Sequence, residues 1–245
     1  IVKISKYWVD QGLDVVIARN GVSLDEGKIN QLVRAWVKNY IISLPSLSKD
    51  NFWEMCWGED ILSKVKKSAI NLRKVNANVA LAFTATRMNI WDFENVLKFA
   101  FVLWVNELQV NRFCVWGRWL KYKKLLELSD EKFEKLLKIA NEKSEWKIKV
   151  VFNMWCEPCI FEHSKYSNLK FGKCECGLKK WTFDIDWNLR VCEQDSKVLG
   201  NVLEESFENL VWGNYVSEFN GRDLFEKCKW CDKYSVCRWG CRFRS

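Results

Sequence analysis

Nine of the 11 cysteines in this 245-residue chain fall between positions 156 and 241, and the last four read Cys228-x2-Cys231-x5-Cys237-x3-Cys241. A two-residue spacer lets a tight turn aim both sulfurs at one centre, and thiolates are the ligands that soft metals and Fe–S clusters select. The last 18 residues hold these four cysteines with almost no apolar run. Such a segment cannot fold on hydrophobic burial, so bound metal is expected to supply much of its folding energy. Four thiolates suit a tetrahedral zinc ion or an Fe–S cluster equally, and spacing alone does not choose between them. Disulfides are the weaker reading, because the start, Ile1-Val2-Lys3-Ile4-Ser5-Lys6, has no secretory apolar core.

The chain ahead of these cysteines has a different texture. Compact β-branched runs at Leu13–Ala18, Asn39–Ser43, Asn78–Thr84, Glu107–Phe113 and Lys147–Phe152 alternate with helical patterns near Asp25–Arg34, Asp60–Val75, Ile90–Leu103 and Ser129–Glu142. Strands alternating with helices predict right-handed βαβ units around a parallel sheet. Ser129-Asp130-Glu131 reads as a helix start, with acidic residues in the first turn. After residue 153 the periodicity stops. Trp181–Ile185 and Leu189–Cys192 flank a turn at Asp186-Trp187-Asn188 as a β-hairpin, and a short helix is expected over Asn201–Leu210. The expected division is therefore 1–153, a βα body, and 154–245, a cysteine-built domain.

Composition narrows the function classes. Hydrophobic residues are 49% and charged residues 29%, ordinary for a globular domain and wrong for a disordered tail. No run nears the roughly 18 apolar residues of a membrane span. The net charge is +8, but no run of Lys or Arg exceeds a pair, so a solvated surface or a positive cleft for an acidic partner is expected rather than nucleic-acid binding. Three counts are abnormal: Gly is 11 and Pro 2, while Trp is 15.

The cysteine pattern resembles the C-terminal SPASM domain of radical S-adenosylmethionine (SAM) enzymes. Cys176, ten residues, Trp187, four residues and Cys192 match its first half, followed by Leu199-Gly200-Asn201-Val202, and the second half matches at every cysteine spacing. The resemblance implies two auxiliary [4Fe–4S] clusters. The first would be held by Cys176, Cys192 and Cys241, with Cys174 as its fourth ligand. Cys228, Cys231 and Cys237 would hold the second, whose usual fourth ligand lies beyond Ser245.

The body carries the same resemblance. Val15-Val16-Ile17-Ala18-Arg19-Asn20-Gly21 is similar to the family's strand ending in T-N-G, and Ile41-Ile42-Ser43-Leu44-Pro45 to its I-S-L-D-G strand. Phe83-Thr84-Ala85-Thr86-Arg87-Met88-Asn89 looks like the next strand and its loop. The implied fold class is α/β: a partial (βα) barrel of radical SAM type followed by a small Cys-rich, SPASM-like domain. By resemblance, Ser43 and Arg87 sit where SAM's amino-acid or ribose groups are held, and a hydroxyl and a guanidinium suit those groups. Either residue is equally at home as an ordinary strand-end or surface residue. The family's C-x3-C-x2-C, which binds the SAM-cleaving cluster, occurs nowhere in 1–245. These residues alone are therefore not expected to generate a 5′-deoxyadenosyl radical.

A second departure concerns tryptophan. Trp36, Trp104, Trp187 and Trp239 stand where the resemblance expects glycine: in A-W-V, L-W-V, D-W-N and R-W-G-C. Such turns often need φ > 0, which glycine tolerates and bulky residues do not. The expectation is a glycine codon, UGA, read as tryptophan; the alternative is a set of tryptophans lining a groove.

Other residues leave alternatives open. Cys156-Glu157-Pro158-Cys159 is a second C-x2-C; it donates to a cluster, meets substrate, or is a loop with two uncommitted thiols. Cys56 and Cys114 read as ordinary buried thiols, and His163 as a surface residue. Glu193 directly follows Cys192, where sulfatase-maturing relatives place an Asp that acts as a base; this chain has Glu there instead, and Glu193 is the candidate catalytic residue. Arg112 and Arg118 would hold a substrate carboxylate or form ion pairs.

The implied activity is that of a radical SAM enzyme modifying a peptide or protein side chain, with S-adenosyl-L-methionine and one or two auxiliary [4Fe–4S] clusters as cofactors. The implied partners are a peptide or protein substrate and an electron donor such as ferredoxin or flavodoxin, in a reducing cytoplasm. No membrane partner is expected. The contrasting reading is a non-catalytic Fe–S or zinc-binding electron-transfer protein without a SAM site.

Overall fold

The computed structural model describes residues 1–55, 61–115, 117–143, 148–153, 156–221, 226–237 and 240–243. They form two compact units. One comprises Ile1–Phe113, Leu125–Asn153 and His163–Phe171, and the other Cys114–Lys124, Met154–Glu162 and Gly172–Ser245.

The first unit is built on a six-stranded sheet in the order β1 (Val16–Arg19), β2 (Asn39–Ser43), β3 (Asn78–Ala85), β4 (Glu107–Arg112), β5 (Val150–Phe152), β6 (Leu169–Phe171). Every neighbouring pair is parallel. The sheet is open, with β1 and β6 at its edges. Its helices are α1 (Val2–Asp10), α2 (Glu26–Arg34), α3 (Lys49–Met55), α4 (Leu62–Lys74), α5 (Phe93–Val102), the single turn α6 (Lys123–Leu126), whose first residues belong to the second unit, and α7 (Asp130–Lys143). The helix stripes recur at three- and four-residue spacing: Val65, Ala69 and Leu72 on α4, Phe93, Val96, Leu97 and Ala100 on α5, Phe133, Leu136, Leu137 and Ala140 on α7 are all buried. The Asp25 carboxylate accepts the Lys28 N–H at 2.7 Å and the Ser129 hydroxyl accepts the Lys132 N–H at 3.3 Å, which starts α2 and α7 one residue after each cap.

The two faces of the sheet differ. On β3, Val79, Leu81, Phe83 and Ala85 are completely buried, while Ala80, Ala82 and Thr84 between them stay partly accessible. The register carries this alternation across the sheet: Ser43, Ala82, Gln109, Val151 and Lys170 are partners in one row, and Thr84 pairs with Asn111 in another. A parallel sheet normally has both faces covered and reads as continuous apolar runs. Here one face is alanine-floored and edged by Ser43, Thr84, Gln109 and Asn111.

Four helix-to-strand junctions in this unit end alike. Trp36 N–H reaches Val33 O and Val37 N–H reaches Leu32 O; Asn76 and Ala77 do the same to Arg73 and Leu72, and Trp104 and Val105 to Phe101 and Ala100. Gly12 and Leu13 repeat the pattern on Val9 and Trp8. This paired bonding needs a left-handed residue just past the helix. The φ angles are +81° at Gly12, +60° at Trp36, +55° at Asn76 and +52° at Trp104. Glycine and asparagine suit that conformation; tryptophan does not.

The second unit holds a small antiparallel sheet of β7 (Thr182–Phe183), β8 (Asn188–Arg190) and β9 (Gly200–Asn201), followed by α8 (Phe207–Val211), α9 (Asn214–Asn220) and α10 (Tyr234–Cys237). The β7–β8 connection is the expected hairpin, and Trp187 in its turn has φ +66°. The helix expected over Asn201–Leu210 starts later, because Asn201 pairs with Asn188 in β9 and Ser206 accepts the Asn209 N–H as the cap of α8. Trp239 lies outside the described residues.

Candidate functional site

Cys174 and Cys176 lie in the segment ahead of β7, where the Glu175 carbonyl accepts the N–H groups of Leu178, Lys179 and Lys180 in a tight turn. Cys192 follows β8 directly. These thiols are core residues of the second unit: Cys176 and Cys192 are buried with Val191, Val216 and Phe219, and Cys174 packs against them. Cys176 shares hydrogen bonds with both Cys174 and Cys192. The donated hydrogen bond brings the Cys174 thiol down to about 6 against the pull of burial, with Lys180 and Arg242 helping. Cys192 is lowered by its bond to Cys176 and by the Gln194 N–H, which meets its sulfur at 3.4 Å; Cys176 is raised, first by Cys174 and Cys192 and then by burial.

Cys241 reaches the same strand end, its sulfur 3.9 Å from Gln194 Oε1. Cys114 donates to that oxygen at 3.3 Å. Sequence reasoning took Cys114 for an ordinary thiol and passed over Gln194. Its place two residues after Cys192 is the signal that would have singled out Gln194. Cys56 lies outside the described residues.

Glu193 is exposed and paired with Lys180 at 3.2 Å. Burial opposes ionisation, but its own backbone amide, Lys180 and Cys192 together hold the carboxyl below its usual range. One of its oxygens and the sulfurs of Cys176 and Cys192 all lie within 4.8 Å of one another.

Cys228, Cys231 and Cys237 form a second thiol group in a chain of tight turns, with Cys231 N–H on Cys228 O at 3.4 Å and Cys237 N–H on Lys233 O at 2.9 Å. Burial, then the neighbouring Cys159 and Glu157, push the Cys237 thiol up to about 11. Cys228 is raised by burial and by Cys231.

None of the ten cysteines among the described residues is in a disulfide. Cys174, Cys176 and Cys192, unbridged, packed together and with the Gln194 N–H on one sulfur, are a donor set that suits an Fe–S cluster or a zinc ion, so these residues fit such a group.

In the first unit, Ser43 ends β2 and is exposed, and Arg87 follows β3, exposed, its backbone N–H on Leu126 O at 3.0 Å. Both stand at the carboxyl ends of adjacent strands, where open α/β sheets bind ligands. The side-chain amide oxygen of Asn111, Oδ1, is buried without a hydrogen-bond partner among the described residues. Gln109 Oε1 accepts from Asn153 at 3.0 Å. Sequence reasoning missed both residues, though polar side chains alternating with apolar ones near a strand end would have pointed to them. Arg112 is buried, donating to Leu128 O at 2.9 Å and paired with Asp130, so its guanidinium anchors α7. The side chain of Arg118 lies outside the described residues. His163 stacks on Phe171 with ring centroids 3.8 Å apart.

A structural role of another kind belongs to Asp92. Its buried carboxylate accepts from the Ser46 hydroxyl, the Leu47 and Ser48 N–H groups and Asn95, fixing the loop after β2.

No family model and no curated protein matches this chain. Solved structures do. Streptococcus suis SuiB bound to its precursor peptide SuiA superposes with a TM-score of 0.75 at 12% identity, covering 99% of this chain and 58% of SuiB. The anSMEcpe structure with bound AdoMet gives a TM-score of 0.65 at 18% identity, covering 93% of this chain and 65% of that one. SuiB has also been solved with S-adenosylmethionine, and anSMEcpe with AdoMet and the Cp18Cys peptide. The chain therefore shares the fold of these S-adenosylmethionine-bound and peptide-bound structures, over less than two thirds of their length. No described helix is long and apolar enough to cross a membrane.

Proposed function

We propose that this chain is the SAM- and substrate-binding body, with the auxiliary-cluster domain, of a radical SAM enzyme that modifies a peptide or protein side chain. The observation that carries the reading is the convergence of Cys174, Cys176 and Cys192 in one buried core beside an ionised carboxylate, on the fold of enzymes solved with S-adenosylmethionine and peptides. In this reading Ser43 and Arg87, with Asn111 on the open sheet face, hold the polar groups of S-adenosylmethionine. Bound [4Fe–4S] clusters supply an electron sink and substrate anchor. Cys174, Cys176, Cys192 and Cys241 hold the first of them, and Cys228, Cys231 and Cys237 belong to the second. Glu193, kept ionised by Lys180, is the carboxylate available to take the proton that a substrate releases on oxidation. A peptide or protein is the substrate class, ferredoxin or flavodoxin the type of electron donor, and a reducing cytoplasm the setting.

Anaerobic iron, sulfide and zinc analysis with an absorption spectrum tests the cluster half of this reading. About four irons with matching sulfide per site are expected. One or two zinc ions without sulfide would make the thiols structural and leave a non-catalytic metal protein. The cofactor half is tested by calorimetric titration with S-adenosylmethionine. Arg87→Ala is expected to weaken binding by about tenfold or more, the scale of a lost charge-assisted hydrogen bond. Unchanged affinity would remove Arg87 from the site.

A further inference from the structure

The helix ends of the sheet unit set four residues at one and the same backbone position. Gly12, Trp36, Asn76 and Trp104 each follow a helix and lead into β1, β2, β3 and β4, four strands that are neighbours in that order. At each of them the residue's own N–H returns to the carbonyl three residues back, and the next residue's N–H to the carbonyl five residues before it. Their φ angles run from +52° to +81°. The fold therefore asks for the same left-handed turn four times. Trp187 adopts the same conformation in the β7–β8 turn, with φ +66° and its N–H on Asp184 O at 3.2 Å.

Among the described residues nine have positive φ: five are glycine, one is asparagine and three are tryptophan. A side chain in this region sets its Cβ against the following carbonyl oxygen, so residues other than Gly, Asn, Asp and His are uncommon there. Tryptophan is 15 of 245 residues, yet it supplies three of the four non-glycine cases. The rings offer little compensation. Lys38 lies over Trp36 at 5.8 Å and Trp104 stacks on Phe101 at 6.1 Å, partners within three residues in the chain, while the two residues stay 67% and 74% exposed. Indole is normally well buried, and this chain does bury aromatic rings at Phe83, Phe93, Phe133 and Phe152. None of the ten described tryptophans is buried, and nine are exposed. A groove lined by indoles accounts for these residues less well: it needs no left-handed backbone, and the β3 junction, which lies between those of β2 and β4, carries asparagine.

We infer that Trp36, Trp104 and Trp187 are glycine in the native protein, UGA being read as glycine in its source. UGA differs by one base from the tryptophan codon UGG and by one from the glycine codon GGA, so a change in decoding alone exchanges the two residues. Glycine at these positions removes the Cβ from each left-handed turn and makes the helix ends before β2 and β4 equivalent to the one before β1. None of this depends on the function proposed above.

Peptide mass mapping of protein isolated from the native cells is expected to find glycine at positions 36, 104 and 187 and asparagine at 76, with UGA at the three codons of the coding sequence. Tryptophan at any of the three overturns the inference. A second measurement, on the 245-residue chain, separates the backbone from the ring. Trp36→Ala and Trp36→Gly both remove the indole, but only glycine escapes the Cβ clash, so Trp36→Gly is expected to melt about 2 °C above Trp36→Ala, after allowance for glycine's greater freedom in the unfolded chain. Trp53 is exposed inside the right-handed α3, and there the order should reverse, with Trp53→Ala above Trp53→Gly. Alanine above glycine at both positions would show that position 36 does not demand a left-handed residue, and would overturn the inference.

Discussion

In the parallel-sheet unit β3 buries Val79, Leu81, Phe83 and Ala85 completely, and three long helices add continuous apolar stripes. In the cysteine-rich unit, by contrast, two of the five buried residues of the core around Val191 are themselves thiols, Cys176 and Cys192, and β7 and β9 are two residues long. The first unit is held by area removed from water, at roughly 25 cal/mol per Å² of apolar surface. The second has less of it, and on the proposed reading its thiols are where a bound ion or cluster would add the rest. The two units would then meet the entropy of folding in different ways, and each can be broken separately.

Metal removal is the largest expected effect. Chelation should destabilise the cysteine-rich unit by on the order of 10 kcal/mol, the scale of a structural metal site, while leaving the sheet unit intact. Hydrogen exchange after chelation should show β8 and α9 unprotected and β3 still protected; equal protection of both units would break the contrast.

The converse change is smaller. Phe83→Ala, at a fully buried β3 position beside Phe93, whose ring centroid is 5.3 Å away, should cost about 3–5 kcal/mol. Urea unfolding of the sheet unit should move accordingly, with iron content per folded chain unchanged. A loss of metal alongside would mean that the two units fold as one.

Asp92 gives a pH handle confined to the sheet unit. Burial favours its neutral form, but the bonds from Ser46, Asn95, Leu47 and Ser48 prevail and hold its carboxyl below the ordinary range. A lowered folded pKa contributes stability that is complete above the unfolded value of about 3.9 and lost as pH falls through the folded one. Asp92→Ala should cost about 1–3 kcal/mol at neutral pH and flatten acid unfolding below about pH 4. An unchanged acid limb would mean the carboxylate is not what anchors the loop after β2.

The contrast between the units also explains what the sequence could show. Strands β2, β3 and β4 were legible to within a residue because each is a run of five or more positions whose alternate side chains, Tyr40 and Ile42, Val79, Leu81 and Phe83, Leu108 and Val110, are apolar and buried. Asp25 and Ser129 marked their helix starts because capping is a local interaction. β6 escaped notice because Leu169–Phe171 is three residues long and has meaning only beside β5; α3 likewise rests on packing rather than pattern. In the cysteine-rich unit, spacing singled out Cys228, Cys231 and Cys237, which lie in one run of tight turns. It could not show that Gln194 gathers Cys114 and Cys241, or that Lys233 brings the Cys159 loop to the thiol turns, since these contacts link positions 47 to 80 residues apart.

The smallest effect is the sharpest comparison, because it sets residues against one another at equivalent places. Holding an L-residue in the left-handed region costs roughly 1–2 kcal/mol, a cost glycine escapes and asparagine partly escapes. Trp36→Gly and Trp104→Gly should therefore each stabilise the sheet unit by about 1 kcal/mol, glycine's greater unfolded entropy offsetting part of the gain. Trp36→Asn should recover part of that amount, and Asn76→Trp should cost about as much as Trp36→Gly gains. Both tryptophans are well exposed, so little packing is lost in the exchange. A decrease in melting temperature for Trp36→Gly would show that the indole's contacts, including Lys38 over its ring at 5.8 Å, outweigh the backbone strain.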